Sequence, residues 1–323
     1  NLQVYIDDEL IMNNHRQISG KLHAPEVSAW YIVPLPKDVQ GKTIKLVMDS
    51  PVKIFSGRVG HVYYGTRDEL KYDLITSQAV GIIMAVIILI IGFLLLIASL
   101  LLQNLSDDRL YYLGIFSITT SIWLISEMDL MQFLVGSRFI VGGISYLMLT
   151  IIPVAFMLYL QEVVLAKYRR LLLGLSSVYI GFFFLNLILQ VGGILHFIES
   201  IVYVDLFILA TIIILVGLLF YEKKYKKNVL AKRYISYLSV FVVSVFVEAF
   251  LFFSRQFINI SSFFRIGFYV FLALLIMDVL KYLNDIIVKE GEAQILRKIA
   301  YKDILTKGDN RAAFERDVDQ LLN

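Results

Sequence analysis

Seven apolar runs fill most of the chain between residues 80 and 282. They cover 80–103, 110–126, 139–160, 171–190, 201–221, 235–253 and 263–282. About 20 apolar residues carry a helix across the hydrocarbon core of a bilayer. Backbone groups in lipid find no water partner, so each run is expected to be helical. The first run has no charged residue. The second is short and is interrupted by Thr119, Thr120 and Ser121.

The pattern differs before the first run. Leu2, Val4 and Ile6 alternate with Gln3 and Tyr5, Asp7-Asp8 makes a turn, and Leu10-Ile11 follow. Residues 30–33 are β-prone and stop at Pro34 and Pro36, residues 43–48 alternate again, and 62–64 close the region. Short alternating runs between Gly, Pro and Asp signals predict antiparallel strands. Seventy-five residues are few for a complete sandwich. An incomplete β-sandwich lacking its first strands is therefore expected over 1–75. Gly41-Lys42-Thr43 does not form a phosphate loop, because the upstream glycine of that motif is absent and no helix follows.

Beyond the seventh run the helical pattern continues to residue 300. Val279, Ile286, Ala293 and Ala300 recur every seven residues, and Tyr282, Lys289 and Leu296 take the companion positions. Gly291 weakens this heptad by about 1 kcal/mol. Val279, Ile286, Ala293, Leu296 and Ala300 form the candidate stripe of a parallel dimer; a lone amphipathic helix along the membrane is the other reading. Next come Asp303-Ile304-Leu305-Thr306, a turn at Lys307-Gly308-Asp309, and Asn310 as a good N-cap. Phe314, Val318, Leu321 and Leu322 then fall on one face at helical spacing.

Composition adds the solvent. The chain is 58% hydrophobic with a mean hydropathy of +0.73, above the 45–50% usual for soluble domains, so lipid must solvate part of the surface. Charge adds the orientation. Loops after runs one, three and five carry ten basic residues, against three after runs two, four and six. Basic residues stay on the cytoplasmic side, which sets the N-terminus outside and the C-terminus inside. The chain has no cysteine, excluding disulfides, zinc–thiolate sites and thiol catalysis. Its four histidines, His15, His23, His61 and His196, share no metal-like spacing. No nucleic-acid partner is expected.

Charges inside apolar runs are costly and often mark a site. Asp205 in the fifth run and Glu248 in the sixth, with Arg265 as counter-ion, make a candidate intramembrane polar site opening outward. The same residues also fit a purely structural role as helix–helix pairs. Asp278, near the inner end of the seventh run, is assigned no role.

Asp303, Leu305, Thr306, Asn310, Arg311 and Phe314 resemble the entry of a GGDEF domain, the diguanylate cyclase catalytic domain, which opens Asp-x-Leu-Thr-Gly-Leu-x-Asn-Arg with an aromatic three residues on. Lys307-Gly308 depart from the usual Gly-Leu pair. The rest resembles the bacterial seven-transmembrane receptors with diverse intracellular signalling modules. Residues 4–11, 30–36, 50–51 and 64–67 look like the sandwich that precedes the spans in such receptors. The resemblance implies an output domain that condenses two GTP into cyclic di-GMP with divalent metal ions such as Mg²⁺. Its metal carboxylates and signature loop lie downstream of the entry motif, so no catalytic, cofactor-binding or metal-binding residue is assigned here. The matched residues are read as structural.

The expectation is a mainly α membrane protein, a piece of a longer chain. It has an incomplete extracellular β-sandwich segment (1–75), a seven-transmembrane helix bundle (76–282), a cytoplasmic helical linker (283–300) and the start of a GGDEF domain (301–323). Membrane lipid, a second copy joined through the linker, and an extracellular small-molecule or carbohydrate ligand are the expected partners. A receptor with a degenerate GGDEF domain that binds cyclic di-GMP or recruits partners, and a membrane transport or scaffold protein, are the alternatives.

Overall fold

The computed structural model describes residues 2–14, 30–48, 62–102, 108–253, 262–301, 310 and 313–314. Three strands, β1 (Leu2–Ile6), β2 (Glu9–Asn13) and β3 (Ile44–Met48), form one antiparallel sheet in the order β2-β1-β3. Asp7 and Asp8 both adopt left-handed φ, 47° and 70°, the geometry of a two-residue hairpin turn whose twist matches the strands. Asp7 also ties the turn to β3. Its N–H donates to the Thr43 carbonyl at 3.1 Å, and its Oδ1 accepts from the Thr43 N–H at 2.9 Å. Val4 and Ile6 point to the buried face of this sheet, as alternation requires.

Residues 30–33 do not join the sheet. Their β-prone side chains predict a strand, but the Trp30 backbone is engaged by a side chain. Its N–H donates to Gln132 Oε1 at 3.1 Å and its carbonyl accepts from Gln132 Nε2 at 3.4 Å. Residues 62–64 likewise lie outside any strand, with Tyr63 stacked on Trp30 at 5.6 Å between ring centroids. Among the described residues there is one three-stranded sheet.

Among the described residues eight α-helices follow: α1 (Arg67–Leu101), α2 (Arg109–Ser126), α3 (Asp129–Val135), α4 (Arg138–Val163), α5 (Arg169–Gly192), α6 (Phe197–Tyr225), α7 (Val229–Phe253) and α8 (Ser262–Tyr301). Their ends follow from local chemistry. Thr66 caps α1, accepting from the Glu69 N–H, with Asp68 and Glu69 in the favourable first turn. Gly136 and Gly193 end α3 and α5 in the left-handed conformation that glycine adopts without a Cβ penalty. Glu199 reaches back to the His196 N–H at the start of α6. The Asn228 Oδ1 accepts from the Leu230 and Ala231 N–H groups at the start of α7.

Six of these helices are long and apolar enough to cross a membrane. The bent pair α2–α3, which turns by 81°, makes up to seven. Their apolar side chains are widely exposed on the surface of the chain, as lipid-solvated helices require. This is the make-up of a multi-pass membrane protein.

Thr120 and Ser121, which interrupt the second apolar run, turn inward with Ser117, whereas Thr119 is half-buried and donates to the Ile115 carbonyl of its own helix at 2.8 Å. Ser117, Thr120 and Ser121 are fully buried, and the Ser121 hydroxyl donates to the Ala85 carbonyl of α1 at 2.5 Å. Gly92 of α1 and Gly114 of α2 let the two backbones approach: a Cβ on Gly92 would lie 3.1 Å from the Gly114 carbonyl oxygen. Small residues serve this purpose where helices pack in lipid. Further round, α2 packs on α4, α4 on α5, α6 on α7 and α7 on α8.

Candidate functional site

The last helix carries the organisation of the bundle. At about 1.5 Å per residue, α8 is roughly 60 Å long, twice the thickness of a hydrocarbon core. One face is buried through the bundle, from Phe268, Phe271, Leu272 and Leu275 to Asp278 and Val279. An aromatic stack follows that face. Phe264 meets Trp123 of α2 and Phe241 of α7, Phe268 meets Phe116 of α2, and Phe271 meets Phe156 of α4. A polar cluster stands at each end of the stack.

The first cluster joins to the bundle the segment at Trp30, which the Asn14 side chain just after β2 holds by donating to the Tyr31 hydroxyl at 2.6 Å. Gln78 of α1 spans the start of α3: its Nε2 donates to Asp129 Oδ2 at 2.8 Å and its Oε1 accepts from the Leu130 N–H at 3.0 Å. One turn on, Gln132 holds the Trp30 backbone, and the Trp30 side chain also hydrogen-bonds to Asp129. Glu127, at the α2–α3 corner, accepts a hydrogen bond from the Ser145 hydroxyl of α4. Arg265, in the first turn of α8, acts electrostatically on both Glu127 and Asp129. The sheet segment, α1, α3, α4 and the start of α8 therefore meet in one hydrogen-bonded and charged knot.

The second cluster stands where α8 leaves the bundle. Asp278 is 8% exposed. Its Oδ1 is 2.6 Å from Arg233 Nη1 and accepts from the Tyr237 hydroxyl at 3.4 Å; its Oδ2 accepts from the Tyr234 hydroxyl at 3.0 Å. Tyr234 is also 2.6 Å from the Tyr159 hydroxyl of α4, so α4, α7 and α8 share one buried polar junction. Beside it, the Arg109 guanidinium of α2 lies 3.6 Å from the centroid of the Tyr282 ring on α8, a cation–π contact. A buried carboxylate is stable only when its lone pairs are filled in this way.

Of the polar site proposed from the sequence, two residues have described side chains, Asp205 and Arg265. Arg265 belongs to the first cluster. Asp205 lies on the exposed flank of α6, acting on Tyr146 of α4, which itself bonds Ser200 of α6 at 2.7 Å. Glu248 lies within α7, but its side chain is outside the described residues. Of the proposed dimer stripe, Val279 is 1% exposed and packs in the bundle core. Its side chain is already occupied there, so it belongs to the bundle and not to a partner helix. Ile286 and Ala293 are half-buried, whereas Leu296 and Ala300 are exposed.

Of the GGDEF-like entry motif, Asp303, Leu305, Thr306 and Arg311 lie outside the described residues. Asn310 is an N-cap. Its Oδ1 accepts from the Ala313 N–H at 3.1 Å, and its Nδ2 donates to the Ala300 carbonyl of α8 at 2.8 Å. Phe314 follows in helical conformation with its ring exposed.

Sequence reasoning passed over Asp278, although a signal was present. Arg233, Tyr234 and Tyr237 open α7 at spacings that face one side of a helix, and a lone acid in a neighbouring apolar run needs such donors. Gln78 and Gln132 gave no signal, because a glutamine that bridges helices resembles one that meets headgroups. Among the described residues, no group of three or more His, Asp or Glu side chains is placed to hold a metal ion. Both clusters join helices through side-chain hydrogen bonds and charge. No protein-family model, curated protein or solved structure matches the chain.

Proposed function

We propose that the chain is a transmembrane signal receptor with seven spans, an extracellular sandwich segment and a cytoplasmic output domain of the diguanylate cyclase class. One observation carries this reading: α8 is a single helix that begins at the cluster holding the sheet segment, lines the bundle core, and runs on to Tyr301. Such a helix moves as a rod. A displacement of the sheet segment reaches α3 through Gln132 and Asp129, reaches α8 through Arg265, and leaves through the Asp278 junction.

The alternation of basic loops supports an outer N-terminus and an inner C-terminus. The resemblance at 303–314 supports a GGDEF domain entered there, making cyclic di-GMP from GTP with Mg²⁺. The residues that would hold nucleotide and metal are not among those described, and no residue of this chain is assigned to that chemistry. Two copies pair through the α8 extension. Past the bundle, Val288, Ile295, Leu296 and Ile299 are exposed apolar positions, and a second copy would cover them. The row Val288, Ile295 and Ile299 lies about 140° round the helix from Ile286, Ala293 and Ala300, and Leu296 lies between the two. An extracellular small molecule or carbohydrate, acting on the sheet segment or on the polar residues Asp205 and Glu248, is the proposed signal.

Reporter fusions test the orientation. A reporter active only in the cytoplasm should be silent at Arg67 and active at Asn323. The opposite pattern removes the receptor reading, because the output helix would then lie outside.

A further inference from the structure

The corner between α6 and α7 gathers charge in an unusual way. Lys223, Lys224, Lys226, Lys227 and Lys232 are all exposed within ten residues. Glu222, the acid among them, is turned inward. It is buried, with its Oε1 accepting from the Tyr168 hydroxyl at 2.9 Å and its Oε2 3.5 Å from Asn228 Nδ2. Tyr168 belongs to the turn between α4 and α5, where Lys167 of the turn and Arg169 and Arg170 at the start of α5 are also exposed. The Tyr168–Glu222 bond thus fastens two basic turns into one surface while removing from it the carboxylate that would offset their charge.

The backbone shows the same bias. Lys227 has φ 51°, a left-handed conformation that Gly or Asn adopts more readily than lysine. The Asn228 N–H donates to the Glu222 carbonyl at 3.2 Å and holds the turn in this form. Apolar and aromatic side chains border the charge. Tyr221 and Tyr225 are exposed with ring centroids 5.0 Å apart, and Phe220 and Tyr225 lie below the ammonium groups of Lys223 and Lys224 at 5.6 and 5.4 Å. Tyrosines at this level mark the bilayer interface, and basic groups beside them meet lipid phosphates.

We infer that the joined α4–α5 and α6–α7 turns form a binding site for the phosphate headgroup of an anionic phospholipid. The ammonium groups of Lys223, Lys224, Lys226 and Lys227 take the phosphate, Tyr221 and Tyr225 pack on its glycerol and acyl region, and the Tyr168–Glu222 bond sets the spacing of the two turns. The apolar border selects a lipid over a free anion. This inference uses only the membrane setting of the helices and does not depend on the output domain.

The test uses the whole chain in nanodiscs of phosphatidylcholine containing about one-fifth phosphatidylglycerol, extracted into detergent and weighed intact by native mass spectrometry. The wild type should retain phosphatidylglycerol in preference to phosphatidylcholine. Lys223→Gln, Lys224→Gln, Lys226→Gln and Lys227→Gln together should lower that retention at least about tenfold, since each basic residue near the surface contributes several-fold to anionic-lipid binding. Lys227→Gly should lower it while leaving thermal stability equal or higher, because glycine relieves the left-handed backbone. Tyr168→Phe should lower it without removing any positive charge. Lys71→Gln with Lys281→Gln, at exposed lysines elsewhere, should leave it unchanged. Inorganic phosphate at millimolar concentration should not displace the lipid; displacement would show a free-anion site and overturn the lipid assignment. Retention by the quadruple variant at the wild-type level, or an equal loss in the Lys71/Lys281 variant, would overturn the site itself.

Discussion

The Asp278 junction gives an asymmetric prediction. Asp278 is 8% exposed, whereas the Arg233 side chain is 44% exposed. Removing either partner breaks the same 2.6 Å contact, but the group left behind differs. Arg233→Met leaves a carboxylate inside the bundle with only the Tyr234 and Tyr237 hydroxyls as donors. An uncompensated buried charge of this kind costs about 3–5 kcal/mol. Asp278→Asn leaves a guanidinium that extends to water along its own stem. Its cost is the weakening of three hydrogen bonds, and such bonds between transmembrane helices average about 0.6 kcal/mol each, giving roughly 2 kcal/mol. The double variant leaves no buried charge, so it should cost less than Arg233→Met alone. Reversible unfolding of the chain in mixed micelles, run as a double-mutant cycle, measures all three. Equal costs for the two single variants, or additivity within about 0.5 kcal/mol, would refute the burial asymmetry as the source of the effect.

Three further outcomes follow from the packing. Gly92→Ala should destabilise the α1–α2 pair by about 1–3 kcal/mol, because its Cβ would lie 2.7 Å from Ile118 Cγ1 and 3.1 Å from the Gly114 oxygen, whereas Gly174→Ala, with nothing within 4 Å, should be neutral or stabilising; thermal melts of the two variants in detergent compare them. Trp30→Ala removes the stack on Tyr63 and the side-chain bond to Asp129, and should raise protease cleavage of the sheet segment while leaving the helices protected. Single cysteines on the α8 extension should crosslink between copies most at 288, 295 and 299; a maximum at 286, 293 and 300 restores the stripe read from the sequence, and a flat profile removes the dimer.

The helices were legible because lipid imposes one rule, that apolar length means helix, and all seven apolar runs coincide with helices. What the runs could not show is how far each helix extends into water. α1 begins at Arg67 and α8 ends at Tyr301, because capping by Thr66 and the absence of a breaking proline carry the helical ladder beyond the apolar stretch. The sheet was legible where alternation met a turn, at Asp7-Asp8. It was not legible at residues 30–33, whose backbone bonds to a side chain 102 residues away, since propensity reports only local preference. The candidate site was the least legible part. Asp205, Glu248 and Arg265 stand out as charges in apolar runs, but their partners depend on helix rotation. Asp278 stands out equally, and its meaning emerges only when Arg233 and Tyr234 are seen facing it. Val279 shows the same ambiguity. A seven-residue repeat places it on the stripe, and the bundle takes it as core.

On the proposed function, α8 transmits displacement as one rigid helix from the first polar cluster to the proposed cyclase domain. Alanine insertions after Lys289, in a chain that carries the proposed cyclase domain, test this through cellular cyclic di-GMP. Two added residues turn the output by about 200° relative to the bundle, whereas seven return it to within about 20° of its original facing. Output should change sharply with two residues and return toward the wild-type level with seven. Cyclic di-GMP that is unaffected by every insertion, or that never rises above the level of cells without this protein, would contradict the proposal.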